Sequence, residues 1–237
     1  MGSRISFSCG RHVIGMFCVA LQVASWTLAD VPPLKAPIPD AAAFTAAMKL
    51  VDEFHKYDVA TAKTPDQRAA LSQSLIDAAN EEKDNATRFA LLSRAKDVAV
   101  GAGDYTTASA AVDEIDATFS VDALKMKVGA ATATAKTVRT PDQRKQLTVG
   151  ASDLVDQAIA ADRYDVAKSA ADIESTGARV ASDAALVKAG TIHVQQVRDA
   201  EAAFADVRKS LAVLADKRDD PEANLKVGKF KCFIKDD

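Results

Sequence analysis

Beyond Pro39 the chain contains only three prolines, Pro65, Pro141 and Pro221, and each directly follows a threonine or an aspartate. Proline is tolerated in the first turn of an α-helix, where its missing N–H has no partner to lose, and it breaks a helix interior. All three therefore sit where a helix begins, and none where one would be interrupted. Two of them lie in an identical pentapeptide, Thr64-Pro65-Asp66-Gln67-Arg68 and Thr140-Pro141-Asp142-Gln143-Arg144, with Leu71 and Leu147 at the same distance downstream. Threonine is the N-cap, proline the first helical residue, and aspartate complements the positive end of the helix dipole. Glutamine reaches back to the cap. Recurrence of such a start signal is the mark of a repeat array.

Composition agrees with a chain that is helical nearly throughout. Alanine supplies roughly a fifth of the residues, and aromatics only 5%. Small side chains suit close-packed helices, whereas strands favour β-branched and aromatic ones. The formal net charge is −3. A nearly balanced surface carries no broad basic footprint for nucleic acid and no acidic tail. The length suits one domain or one short solenoid.

Residues 1–29 read as a secretory signal peptide. Arg4, Arg11 and His12 form a positive n-region, Val13 to Trp26 an apolar segment too short to span a bilayer comfortably, and Thr27-Leu28-Ala29 a cleavage site. Cleavage after Ala29 would place the protein outside the cell, in the periplasm or in the cell envelope. An uncleaved anchor is the alternative. A lipoprotein reading through Cys18 fails on the bulk of Met16 and Phe17. Cys9 and Cys18 leave with the leader, so the mature chain holds Cys232 alone and no internal disulfide. That thiol is expected to be a small apolar core residue. Residues 30–40, with Pro32, Pro33, Pro37 and Pro39, read as an extended linker without a helix or strand of its own.

A first helix is predicted from Asp40 to Ala62, with Phe44, Met48, Val51, His55 and Val59 on one face. The Thr64 box opens a second, carrying Leu71, Leu75, Ile76 and Ala79. After a polar break at Glu82-Lys83-Asp84-Asn85, a third presents Leu91, Leu92, Ala95, Val98 and Ala99. Gly101 and Gly103 end it and Asp104 caps a fourth, with Tyr105, Ala108, Val112, Ile115 and Phe119. Asp122 caps a fifth, with Leu124, Val128, Ala131, Ala135 and Val138. The Thr140 box opens a sixth with Leu147, Ala151, Leu154, Val155 and Ala158. A turn at Asp162-Arg163-Tyr164 leads to Ala167, Ala170 and Ala171.

The turns at Tyr105 and Tyr164 share a tyrosine and an alanine three apart, followed by a further alanine, Ala111 or Ala170. Leu92, Ala95, Ala99, Tyr105, Ala108, Val112 and Ile115 fall where a tetratricopeptide hairpin places its packing residues, and residues 85–178 resemble that family. Lys96 stands where the family has a small residue, and no proline follows the second helix. The resemblance implies an all-α fold, a short right-handed array of antiparallel helical hairpins of the tetratricopeptide-like or α-solenoid kind, or a bundle. The leader, the two boxes and the Asp220-Pro221-Glu222-Ala223-Asn224 run also resemble helical N-terminal segments of large secreted bacterial proteins, a likeness that brings no activity with it.

The array is expected over residues 41–180, and residues 181–237 form a different region. Leu186, Gly190, His193, Val197, Ala200, Phe204, Val207, Leu211 and Leu214 keep alternate spacings of four and three. They predict one helix of about fifty ångströms with a coiled-coil-like seam. Bracing of the hairpins is the favoured role, and self-association through 182–214 the alternative. Asp220-Pro221 then opens an apolar helix through Leu225, Val227, Gly228, Phe230, Cys232 and Phe233, the start of a further repeat or a helix that docks back on the bundle.

No residue is assigned to catalysis, to a cofactor or to a metal. His55, beside Asp52, reads as a helix-surface contact, and His193 as a satisfied, partly buried histidine. Neither has partners at zinc-ligand spacing. Adjacent acids such as Asp52-Glu53, Glu81-Glu82, Asp113-Glu114 and Asp219-Asp220 point in different directions on a helix. Lys226, Lys229, Lys231 and Lys235 read as a solvated face. The expectation is an exported, non-catalytic helical-repeat module that offers a surface to an unknown protein partner, with no nucleic acid and no membrane beyond the leader. The alternative is a spacer or accessory region of a larger exported protein or enzyme whose active domain lies beyond residue 237.

Overall fold

The computed structural model describes residues 34–235, so the leader, its cleavage site and the first linker residues lie outside the described part. The Asp40 carboxylate accepts from the N–H groups of Ala42 and Ala43 and opens α1 (Ala41–Phe54). A short α2 (Lys56–Thr61) follows, then α3 (Pro65–Glu81), α4 (Asn85–Ala102), α5 (Tyr105–Thr118) and α6 (Ala123–Thr134). Next come α7 (Pro141–Ala160), α8 (Tyr164–Ala181), α9 (Ala184–Asp216) and α10 (Pro221–Phe230), with a π-turn over Lys231–Lys235. Among the described residues every α-helix except α2 and α8 starts at a side-chain cap. The sequence places caps at Asp104, Asp122, Asp220 and the two threonines, and the structure adds Asp84 within the polar break.

Both pentapeptides form complete capping boxes. Thr64 Oγ1 accepts from Gln67 N–H at 3.2 Å while Gln67 Oε1 accepts from Thr64 N–H at 3.1 Å. Thr140 and Gln143 repeat the pair at 3.2 and 3.3 Å.

The substantial contacts of each helix lie with the next one or two helices along the chain: α3 with α4 and α5, α4 with α5 and α6, and so on to α7 with α8 and α9, and α9 with α10. The one longer step, α1 to α4, passes over the short α2 and over α3. This nearest-neighbour order is that of a helical hairpin array. The core follows it as a series of clusters. Val51, Leu75, Leu92, Ile115 and Phe119 belong to the first, and Ala99, Tyr105, Ala108, Ala131 and Leu147 to the next. Leu154, Val155, Val166, Ala170 and Val197 form a third, and Val207, Val227 and Phe230 the last. Alanines at the crossings bring backbones close enough for buried Ser72 to donate from α3 to the Ala95 carbonyl of α4 at 2.8 Å.

Four expectations are corrected. The helix expected over 40–62 is broken at His55, whose backbone leaves helical geometry (φ −95°, ψ 11°). Ala47 and Val51 bury α1, but α2 buries nothing and Phe54 and Tyr57 are exposed, so no packing holds a straight continuation. The linker is no free spacer over its described residues. Ala36 N–H donates to the Thr118 carbonyl at 2.8 Å, Ser120 N–H donates to the Ala36 carbonyl at 2.9 Å, and Lys35 pairs with Asp116 at 2.7 Å. The extended backbone of Phe119 offers that edge, and its fully buried ring packs edge-on to Phe89, 5.1 Å between centroids. The fifth expected helix ends at Thr134, with Val138 buried from the following loop. Cys232 is exposed, because α10 turns Ala223, Val227 and Phe230 inward and the π-turn carries Cys232 and Phe233 to the outside.

The long helix is a single α9 of 33 residues. Gly190, Val197, Ala200 and Val207 of its seam are buried, and it packs on α8, α7 and α10. At the far end Ser210 is turned inward and Leu211 outward. Phe204 lies between two rings, its centroid 5.4 Å from that of Tyr164 and 5.9 Å from that of Phe230.

Candidate interaction groove

The Asp104 cap sets the start of α5 by accepting from Thr107 N–H at 3.0 Å and from its hydroxyl at 2.6 Å. Tyr105, the first helical residue, is thereby directed across α7 and is only 4% exposed. Gly150 makes this possible. A Cβ at that position would lie 2.5 Å from Tyr105 Cε1, closer than any side-chain carbon can come. One turn further along each helix the surfaces part, and α5, α6 and α7 enclose a groove of about 710 Å³.

Tyr105, Ser109 and Asp113 line it from α5, Lys127 from α6, and Lys145, Val149, Asp153 and Gln157 from α7. Lys127 stands on the apolar stripe of α6, three residues after Leu124 and four before Ala131, and is 8% exposed. Its ammonium reaches Asp113 Oδ1 at 2.7 Å and donates to Gln157 Oε1 at 3.4 Å. A buried ammonium requires such partners, and the aliphatic stem fills the space beside the stripe. Among the described residues Asp153 and Asp142 enter no ion pair.

Burial pushes the Tyr105 phenol up to about 12, and the carboxylates of Asp113 and Asp153 add to this against an opposing hydrogen bond with Ser109. At neutral pH the phenol stays protonated and serves as a hydrogen-bonding group rather than a base. None of the lining residues is a histidine or a cysteine. The groove presents hydrogen-bonding and charged groups beside apolar ones.

Of the residues weighed in the sequence, Tyr105 and Asp113 line this groove and the two histidines lie elsewhere. His193 Nδ1 is 2.8 Å from Glu174 Oε2, and Ser152 Oγ is 3.4 Å from the same nitrogen. Its Nε2 is 3.9 Å from Asp156. Serine and carboxylate meet one ring nitrogen, so the three do not form a proton relay, which needs both. Glu174 is 1% exposed, and its Oε1 is buried with no hydrogen-bond partner among the described residues. His55 pairs with Asp58 at 3.2 Å rather than with Asp52, which meets Arg94 at 2.8 Å. The neighbouring acids diverge, Asp113 to Lys127 and Asp116 to Lys35. Lys226 pairs with Glu222 one turn away at 2.9 Å, which holds its ammonium above the usual lysine value.

Among the described residues no group of three histidine, cysteine or acidic side chains is placed to hold a metal ion, and no helix is long and apolar enough to cross a membrane. Sequence reasoning singled out Tyr105 for its turn but passed over Ser109, Lys127, Gly150, Asp153, Gln157 and Glu174. Two signals were present: a lysine on an apolar stripe, and a glycine inside a helical pattern. No protein-family model, curated protein or solved structure matches the chain.

Proposed function

We propose that this chain is an exported, non-catalytic helical-repeat module of the tetratricopeptide-like kind, which receives a segment of another protein between α5, α6 and α7. The observation that carries this reading is the groove itself, which spans three successive helices of a nearest-neighbour array and is lined by groups already fixed by capping and ion pairing. Arrays of this kind expose extended surfaces made from several repeats, and pre-set side chains lower the ordering cost of binding. Export follows from the leader in the sequence.

Val149, 44% exposed on the groove wall, provides the test. Val149→Arg fills the groove without touching the core, so the helical signal and melting temperature stay those of the wild type. A partner retained specifically by the wild-type protein and by Val187→Arg, which alters the surface of α9, is lost. Equal retention by Val149→Arg rejects the groove as the binding surface.

A further inference from the structure

Resting on the reading of the groove as a partner-binding surface, we infer that it selects a segment carrying a cationic side chain, an arginine or lysine, which seats against Asp153 beside Tyr105 and Ser109. The charges of the groove divide along α7. Near its N-terminal end stand Asp142 and Lys145, one turn apart and of opposite charge. In the inner half the residues are Asp113, Lys127 and Asp153. Lys127 is buried and already neutralised by Asp113, with the Gln157 side-chain oxygen as a second acceptor. Asp153 is left as the charge of this half that no cation among the described residues pairs with. An anionic segment would have to break the Lys127–Asp113 pair to find a cation there and would face Asp153 as well. A cationic one meets a carboxylate that is already in place. Ser109 and the Tyr105 hydroxyl add hydrogen-bonding groups beside the carboxylate, and Val149 and Leu154 add apolar wall for the stem of a long basic side chain. Complementary charge of this kind sets which partner is accepted more than how tightly it is held.

The test uses three capped, alanine-based hexapeptides that carry two arginines, two glutamates or no charge. Each is titrated into the isotope-labelled protein at low ionic strength, with backbone amide shifts as the readout. The arginine peptide is expected to move amides in Tyr105–Asp113 and Gly150–Gln157. Asp153→Asn, an exposed change that leaves the fold intact, weakens it about fivefold, and Asp153→Lys abolishes it. Equal affinity of the arginine peptide for wild type and both variants overturns the assignment to Asp153. If the glutamate or uncharged peptide moves the same amides as strongly, cation selectivity is overturned while the groove stands as a binding surface. If no peptide moves any groove amide, both readings fall.

Discussion

The side-chain amide of Gln143 donates to the Ala102 carbonyl at 2.8 Å, so the residue that caps the start of α7 also closes the end of α4. The last carbonyls of a helix have no partner within it. Here Asp104 N–H serves Ala99, Thr137 serves Val100, and Arg68 serves Gly101 at 3.1 Å. Arg68 and Gln143 come from the two copies of the same pentapeptide, which thus converge on one helix end. Gly103, left-handed at φ 76°, turns the chain there, and the Gln143 amide would lie 3.1 Å from any Cβ it carried.

Gln143→Ala is accordingly expected to cost more than Gln67→Ala. Both lose the return bond of a capping box, about 1 kcal/mol. Gln143→Ala also leaves the Ala102 carbonyl without its donor, about 1 kcal/mol more. Denaturant titration of the two variants measures the difference, and equal losses would show that the α4 contact carries no stability.

The caps, the turns and the long helix were legible because each is a local property: a short polar side chain before a helical stripe, or a glycine after one. The break at His55 was not, because the stripe from Phe44 to Val59 continues in sequence where its packing partner ends in space. The docking of Ala36 on Phe119 joins segments distant in sequence and has no periodic signal. The groove was half legible. Tyr105 stood out by its place at a turn, whereas Asp153 and Gln157 are ordinary surface residues until α5 and α7 are brought together.

The His193–Glu174 pair lies between α8 and α9, with Ser152 and Asp156 of α7 beside it. His193→Leu removes the hydrogen-bond partner of the Glu174 carboxylate, which is 1% exposed, and is expected to cost about 3–5 kcal/mol. The double variant His193→Leu/Glu174→Met removes the stranded charge and should recover most of that loss. Additive losses in a double-mutant cycle would show that the two side chains act independently.

Alkaline titration probes Tyr105. The unfolded phenol ionises at its ordinary value of 10.0, while the buried one keeps its proton to about 12. The contribution is therefore complete below pH 10 and is lost as pH rises to about 12, in total about 2–3 kcal/mol. Tyr164, also raised by burial and by its hydrogen bond to Asp162, acts in the same direction. Tyr105→Phe should make the fall in stability over this range shallower without abolishing it. An unchanged slope would show that the Tyr105 hydroxyl is solvated in the folded protein.

Gly150 and Gly129 are both helical glycines, yet their replacement by alanine should act in opposite directions. Gly129 in α6 has open space where a Cβ would go. Gly129→Ala therefore gains helix propensity and should stabilise the protein by about 0.5–1 kcal/mol. At Gly150 the same propensity gain meets the Tyr105 ring at 2.5 Å. The ring is buried and cannot swing away without reopening the α5–α7 contact, so Gly150→Ala should be destabilising on balance, by about 1–2 kcal/mol. Combining it with Tyr105→Leu removes the clash and should reverse the sign of the alanine's effect. Thermal melts of the single and double variants read this directly. Stabilisation by Gly150→Ala alone would mean that the ring lies elsewhere and that the floor of the groove is not the one described.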